Sequence, residues 1–250
     1  MKGLRASHFR RIHKGLRLDL ILTIAGPAVF LVLATLLEKQ MSAADVAAAE
    51  MTADTALNFQ SIYSRLLSAY LVLRYCASAL CVMVILSGLG EAEGCSPAFS
   101  RSRKWFIALM IMNAVAMAAR IASVLVNTAD LSETTDALYL VTELVLLVIR
   151  GSALSLLLRG NSDVLGRIGA EVEAHRARSL AGQAMIWFPA VGIVRLVDHF
   201  IPPMSDAVSL IAFILFAAVL ICQFILCIRI AVHARNTAGM IAAVSGEAAA

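Results

Sequence analysis

Charged and aromatic residues are scarce in this sequence. Asp, Glu, Lys and Arg together make up 15% of the 250 residues and Phe, Trp and Tyr make up 6%, whereas 60% of the residues are hydrophobic. With a mean hydropathy of +0.84, the chain is too apolar for an ordinary soluble domain, in which roughly a quarter of the residues are charged. The composition therefore predicts an integral membrane protein.

Motifs of enzymes and of metal sites are also missing. The five cysteines form no CxxC pair, and there is no HExxH motif, no Walker A loop and no His and Cys pattern with metal-ligand spacing. His199 follows Asp198 near the end of an apolar run, but no Ser or Cys nucleophile is tied to it by spacing. We therefore expect no enzymatic activity, no cofactor and no metal.

Long hydrophobic runs dominate what is present. A helix needs about 20 apolar residues to cross a hydrocarbon core of roughly 30 Å. Six windows qualify, at approximately 19–37, 66–88, 105–127, 137–158, 179–201 and 207–230. Short connections that contain Gly, Ser, Asn or Pro separate most of them. The predicted fold class is all-α, with residues 1–250 forming a single integral membrane domain, a six-transmembrane-helix bundle.

The basic residues are divided unevenly between the two ends of this bundle. Most of the 21 Lys and Arg residues precede the first window, follow the second and fourth windows, or lie at the end of the sixth. The connections at the opposite end carry only Lys39 and Arg65. Because cytoplasmic connections retain Lys and Arg, both termini are predicted to be cytoplasmic, in a cell (inner) membrane. The net charge of +4 follows from this topology, so no nucleic-acid partner is expected.

Several charged residues interrupt the hydrophobic runs, although each costs roughly 2.5 to 3.5 kcal/mol to insert. With a rise of about 1.5 Å per residue, four of them lie roughly 9 to 12 Å from the predicted outer ends of four different helices. These four are Arg74, Arg120, Glu143 and Arg195. Asp198 lies one turn further out than Arg195, and Arg150 lies deeper, roughly 20 Å from the outer end.

Spacing places these residues on common helix faces. Asn113, Arg120 and Asn127 recur every seven residues, as do Glu143 and Arg150, and a seven-residue step returns to within about 20° of the same face. The first and sixth windows have no comparable charge. We therefore predict a polar interior formed by the second to fifth helices, with the first and sixth more exposed to lipid. The predicted binding residues are Arg74, Arg120, Glu143, Arg150, Arg195, Asp198 and Asn113.

This predicted interior holds more arginines than carboxylates. Arginine stays charged whereas a buried carboxyl can take up a proton, so the residual charge is positive and suits a carboxylate or phosphate. We predict a small-solute transporter, or a membrane-embedded binding subunit, whose partners are the lipid bilayer and a small anionic solute. The alternative is a non-catalytic regulatory or interaction subunit with a membrane protein partner, in which the charges serve only helix packing. A proton-coupled role for Glu143 or Asp198 also stays open.

Two polar segments outside the windows are predicted to be helical as well. Residues 42–66 are rich in Ala and open with a capping-box-like spacing, which is typical of a helical cap or an extension of the second helix. Residues 161–179 place Leu165, Ile168 and Val172 on one helix face, which suits an interfacial helix at the membrane surface.

Overall fold

The computed structural model describes residues 5–47, 53–126, 132–200 and 206–246. These ranges form long α-helices and contain no β-strand, which confirms the all-α prediction. The helices are α1 (Ala6–Ala47), α2 (Ala53–Ala92), α3 (Pro97–Val126), α4 (Ser132–Arg167), α5 (Glu171–Phe200) and α6 (Asp206–Ser245). A short 3-10 helix, Glu93–Cys95, connects α2 to α3.

Most of these helices carry an apolar stretch long enough to cross a bilayer. In the described part of the chain the stretches are Leu66–Cys95, Pro97–Ala122, Leu138–Arg167, Glu171–Val197 and Leu210–Ser245. They overlap the second to sixth predicted windows. The first window, 19–37, lies within α1, and several of its side chains lie outside the described residues. The chain is thus a helical membrane protein with several apolar spans.

The helix boundaries follow from local sequence. Before α3, Ser96 has an extended backbone, and its Oγ accepts a hydrogen bond from the N–H of Ala98 at 3.2 Å, which caps the helix. Between α4 and α5, Gly169 has a φ of 79°, and the N–H of Ala170 donates to the carbonyl of Leu165 at 2.9 Å. This glycine turn is tight, so α4 and α5 pack as antiparallel neighbours.

The prediction of a separate interfacial helix over residues 161–179 is wrong. Those residues form the end of α4, a turn and the start of α5. Leu165 is fully buried whereas Val172 is 70% exposed, because the turn between them interrupts the helical repeat and the two side chains no longer share a face. The other polar segment, 42–66, is divided between the ends of α1 and α2, with residues 48–52 outside the described chain.

The helices form a closed ring. Each helix packs against the next one in sequence, and α6 packs against α1. Within the most apolar 18 residues of each span, half of the residues of α4 are buried, whereas only 6% of those of α6 are. This part of the sixth helix therefore faces outward, whereas Leu226, Ile230 and Ile241 further along α6 are buried. The exposure of α6 to lipid stays a prediction.

Glycines allow two pairs of helices to approach closely. A Cβ atom at Gly88 of α2 would lie 2.7 Å from the carbonyl oxygen of His8 on α1. A Cβ atom at Gly151 of α4 would lie 2.9 Å from the carbonyl oxygen of Ala184 on α5. Both distances are shorter than real Cβ contacts, so the backbones are this close only because no side chain intervenes. Small residues at such contacts are typical of helix pairs in membranes.

The beginning of α1 and the end of α6 lie at the same end of the bundle, which we call the basic end. There, Glu91 near the end of α2 pairs with Arg11 of α1, with 2.7 Å between Oε1 and Nη1. Two residues after Arg11, partial burial and the nearby charges of Arg17 and Arg235 lower the pKa of His13 below its usual value. Since Arg235 belongs to α6, the two ends of the described chain share one side of the bundle.

Candidate functional site

Glu143 on α4 is the centre of a buried ion-pair cluster. It is 7% exposed, and its Oε1 accepts a hydrogen bond from Nη1 of Arg195 on α5 at 2.5 Å. Nη1 of Arg74 on α2 lies 3.7 Å from the same oxygen, which is within ion-pair range but longer than a hydrogen bond. The packing of α2, α4 and α5 therefore brings together three of the four residues expected at one depth.

Arg150, also on α4, pairs with a residue that the sequence did not single out. Its Nη2 donates to Oδ2 of Asp19 on α1, and its guanidinium lies over the ring of Phe188, 5.6 Å from the ring centroid. The side chains of Arg150 and Asp19 are 17% and 18% exposed. The prediction that the first helix brings no charge to the interior is therefore wrong, because α1 contributes the acidic partner of Arg150.

Asp19 is hard to recognise in the sequence because it occupies the first position of the predicted window, where a charge is expected at the membrane surface. One signal identifies it in retrospect. Asp19 is the only acidic residue among residues 1–37, in a segment that is otherwise basic. A lone carboxylate beside an apolar run is a candidate partner for a buried arginine such as Arg150.

Aromatic rings lie against two guanidinium groups of the predicted site, those of Arg120 and Arg195. Arg120 on α3 lies over the ring of Tyr139 on α4, and Arg195 lies over the ring of Phe216 on α6, each 5.7 Å from the ring centroid. Such cation–π contacts stabilise by roughly 0.5 to 2 kcal/mol, more when they are desolvated. Through Phe216, α6 also takes part in the polar interior, although it carries no charge there.

Asn113 joins α3 to α2. It is 4% exposed, and its Nδ2 donates a hydrogen bond to Oγ of Ser78 at 3.3 Å. The next heptad position, Asn127, lies outside the described residues. The buried amide thus faces the interior as its spacing predicts, and it lies on the wall of a cavity together with the charged residues.

This cavity is lined by residues of both the Arg150 and Asp19 ion pair and the cluster around Glu143. Its volume is about 60 Å³, and since a water molecule in the liquid occupies about 30 Å³, it has room for about two waters. We call it the central cavity. Its polar lining residues come from α1 to α4 and are Asp19, Arg74, Tyr75, Ser78, Asn113, Glu143 and Arg150.

Charge on the walls of the central cavity is balanced. The carboxylates of Asp19 and Glu143 face the guanidinium groups of Arg74 and Arg150. The positive surplus expected from sequence is therefore smaller than predicted, because the carboxylate of Asp19 is part of the interior. Among the residues that line this cavity, Oε2 of Glu143 is buried and has no hydrogen-bond partner in the described part of the chain. A buried acceptor without a donor is costly, so a bound donor would stabilise this oxygen.

Two further expectations concern Asp198 and metal binding. Asp198 belongs to α5, but its side chain lies outside the described residues, so its place relative to Arg195 stays a prediction. Among the side chains that are described, no group of three or more His, Cys, Asp or Glu residues is arranged to hold a metal ion.

Comparisons with known proteins yielded no relative. No protein-family model, no curated protein and no solved structure matches this chain. The class of protein therefore follows from the fold alone. It is a helical, multi-pass membrane protein with an ion-paired interior.

Proposed function

We propose that this membrane protein binds a small anionic solute at the central cavity and transports it across the bilayer. One observation carries the proposal: Arg74 and Arg195 share a single carboxylate oxygen of Glu143, at 3.7 and 2.5 Å. The charges that line the cavity balance, and Arg195, which pairs with Glu143 from outside that lining, adds one positive charge. The unneutralised positive charge is what an anion would compensate, through the charge-assisted hydrogen bonds that a guanidinium forms with a carboxylate or phosphate.

Arg74 is the residue that would receive the anion. Its contact with Glu143 is the longer of the two, and its side chain is 38% exposed whereas that of Glu143 is 9% exposed. An incoming anion therefore displaces only the weak Arg74 contact, while the Arg195 contact keeps the carboxylate neutralised. The exposed face of Arg74 also offers a route of entry.

The size of the central cavity implies that the described conformation is a closed one. Sites for small molecules usually have volumes of roughly 300 to 1,000 Å³, far more than the 60 Å³ present. A solute larger than about two water molecules requires α2 to move away from α4. Because the Arg74 contact with Glu143 bridges these two helices, breaking it would couple solute binding to this opening.

The experiment is calorimetric titration of the purified full-length protein in detergent with formate, acetate and inorganic phosphate. We expect Arg74→Gln to weaken binding of the tightest of these probes about tenfold or more, since a hydrogen bond to a charged group contributes roughly 1.5 to 3 kcal/mol. Arg103→Gln is the matched control, because Arg103 pairs with Glu93 at the basic end, at 3.1 Å, and does not line the central cavity.

Unchanged affinity in both Arg74→Gln and Arg195→Gln would remove the proposed site. Where binding is lost as expected, uptake of the labelled probe into liposomes distinguishes a transporter from a binding subunit. Uptake that depends on Arg74 indicates a transporter, whereas binding without uptake indicates a binding subunit that needs a partner to translocate the solute.

The outward face of α6 supports a second candidate function, a regulatory or interaction subunit of a membrane complex. Within its most apolar 18 residues only 6% are buried, and α6 exposes Leu215, Ile221 and Ile225. In such a subunit the interior ion pairs fix only helix register, at about 0.6 kcal/mol per polar contact on average. A stoichiometric partner that co-purifies in mild detergent and is lost on substitution of this face supports this function. A monomer that binds an anion contradicts it.

We further propose that the basic end of the bundle faces the cytoplasm of a cell with an inner membrane. Arg11, Arg103 and Arg176 belong to the ends of helices at this side. Connections that are rich in Lys and Arg are retained on the cytoplasmic side during insertion. Both termini are then cytoplasmic.

A further inference from the structure

A second cavity opens at the basic end of the bundle, between α3, α4 and α5. Its volume is about 610 Å³, within the range of roughly 300 to 1,000 Å³ that is typical of small-molecule sites. Three arginines line it, one from each helix: Arg101, Arg159 and Arg178. It shares no lining residue with the central cavity, and we call it the arginine cavity.

The lining of the arginine cavity is positively charged. Among the described lining residues the one carboxylate is that of Asp163, whose Oδ2 accepts a hydrogen bond from Oγ of Ser96 at 2.6 Å. Arg178 donates from Nε to Oγ of Ser162 at 2.9 Å, which orients the guanidinium and leaves its other N–H groups for a ligand. Three guanidinium groups against one carboxylate leave two net positive charges.

Two of the arginines make no internal ion pair. Arg101 and Arg159 are exposed, and neither forms a hydrogen bond or an ion pair with any of the residues that the structure describes. Arg103, two residues further along α3, is by contrast neutralised by Glu93 at 3.1 Å. Arginines that converge on one cavity repel each other unless an anion lies between them.

The windows predicted from sequence place the arginine cavity at the depth of the lipid headgroups. Arg159 directly follows the fourth predicted apolar window, and Arg178 directly precedes the fifth. Arg101 lies one turn before the third window, so all three are within roughly 6 Å of the predicted hydrocarbon boundary. Phosphate groups of a bilayer leaflet occupy this level.

We propose that the arginine cavity is a binding site for a phosphate group, carried by an anionic lipid or free in solution. Guanidinium groups match the oxygens of phosphate in a bidentate geometry. Basic pockets between transmembrane helices are suited to anionic headgroups. Leu156 lies beside the arginines in the lining and provides an apolar wall, where the first acyl carbons of a lipid would pack. This site does not depend on the function proposed for the central cavity.

The test is calorimetric titration of the full-length protein in mild detergent with short-chain phosphatidylglycerol, phosphatidylcholine of the same chain length and inorganic phosphate. Each basic residue near anionic lipid contributes about 1 kcal/mol. The double substitution of Arg101→Gln with Arg159→Gln is therefore expected to weaken binding of phosphatidylglycerol or phosphate about tenfold or more. Lys104→Gln is the control, since Lys104 is exposed on the same helix and does not line the cavity, and its affinity should match the wild type.

A second variant has the opposite expected effect, which a folding defect cannot mimic. Asp163→Asn removes the negative charge from the described lining, while the amide oxygen still accepts the hydrogen bond from Ser96. We expect this variant to bind the anionic probe about fivefold more tightly than the wild type does, since one repulsive charge near the phosphate is removed.

The probes separate the two sources of the phosphate. Tight binding of phosphatidylglycerol alone assigns the cavity to a lipid headgroup, and equal dependence of inorganic phosphate binding on Arg101 and Arg159 assigns it to free phosphate. Wild-type affinity in the double variant contradicts the proposal. So does phosphatidylcholine binding as tight as that of phosphatidylglycerol, or a wild-type protein that binds none of the probes.

Discussion

Asp19 and Arg150 carry opposite charges in a part of the bundle where neither is well tolerated alone. Each side chain is less than a fifth exposed, and their hydrogen bond links α1 to α4. Removal of one partner from a buried ion pair leaves an uncompensated charge, which costs about 3 to 5 kcal/mol, whereas replacement of both by apolar residues is often neutral. Loss of either residue alone is therefore expected to lower the stability of the fold more than replacement of both.

We predict that Asp19→Asn lowers the free energy of unfolding by about 3 kcal/mol, because the Arg150 guanidinium loses its counter-charge. Chemical unfolding in mixed micelles, followed by far-UV circular dichroism, measures the change. The double variant with Asp19→Leu and Arg150→Met is expected to regain most of the lost stability. A double variant that is no more stable than Asp19→Asn would show that the pair has a role other than mutual neutralisation.

At the scale of the helices, close approach of backbones decides which pairs pack tightly. The α4 and α5 contact at Gly151 leaves no room for a methyl group beside the carbonyl oxygen of Ala184, at 2.9 Å. In α6, Gly239 is exposed and has nothing within 4 Å of the position of a Cβ atom. The two glycines therefore have different roles, although both lie inside long helices.

We expect Gly151→Ala to destabilise the protein by about 1 to 3 kcal/mol, because the added methyl group pushes α5 away from α4. Gly239→Ala should instead stabilise it by roughly 0.5 to 1 kcal/mol, since alanine favours the helix and meets no neighbour. Thermal unfolding in detergent compares the two variants. If Gly151→Ala raised the melting temperature as Gly239→Ala does, helix propensity rather than the close contact of α4 with α5 would determine the effect of the substitution.

The helices could be predicted from sequence where the run of apolar residues was long. The apolar stretches of α2 to α6 overlap the predicted windows, because about 20 consecutive apolar residues define a span without reference to any neighbour. The predicted helix at 161–179 was wrong because its apparent face joined Leu165 to Val172 across the Gly169 turn. The spacing of apolar residues in the sequence does not show where a helix is interrupted, whereas a glycine with a positive φ ends the helix.

At the scale of the whole molecule, the basic end contains both ends of the described chain. Contacts between α1 and α2 and between α1 and α6 hold these ends on one side. The outward surface of the bundle exposes large apolar side chains, among them Leu73, Ile186 and Ile211. The orientation of this bundle in a membrane is then set by which side retains the basic residues.

We predict that reporters fused to either terminus of the full-length protein report a cytoplasmic location. A fluorescent protein that folds only in the cytoplasm should be bright at both ends, and a phosphatase that is active only outside should be inactive at both. A fusion after residue 130, between α3 and α4, is the matched control and should give the opposite pattern. Opposite results at the two termini would contradict an even number of spans.

Sequence alone determined the class of this protein and the approximate positions of its spans, because the free energy of transferring an apolar segment into lipid belongs to the segment itself. Tertiary structure decided how the interior charges are used. Asp19 and Arg150 are 131 positions apart, and Arg101, Arg159 and Arg178 come from three helices. Whether such residues neutralise each other or leave room for an anion depends on distances between helices, and these exist only after the helices pack.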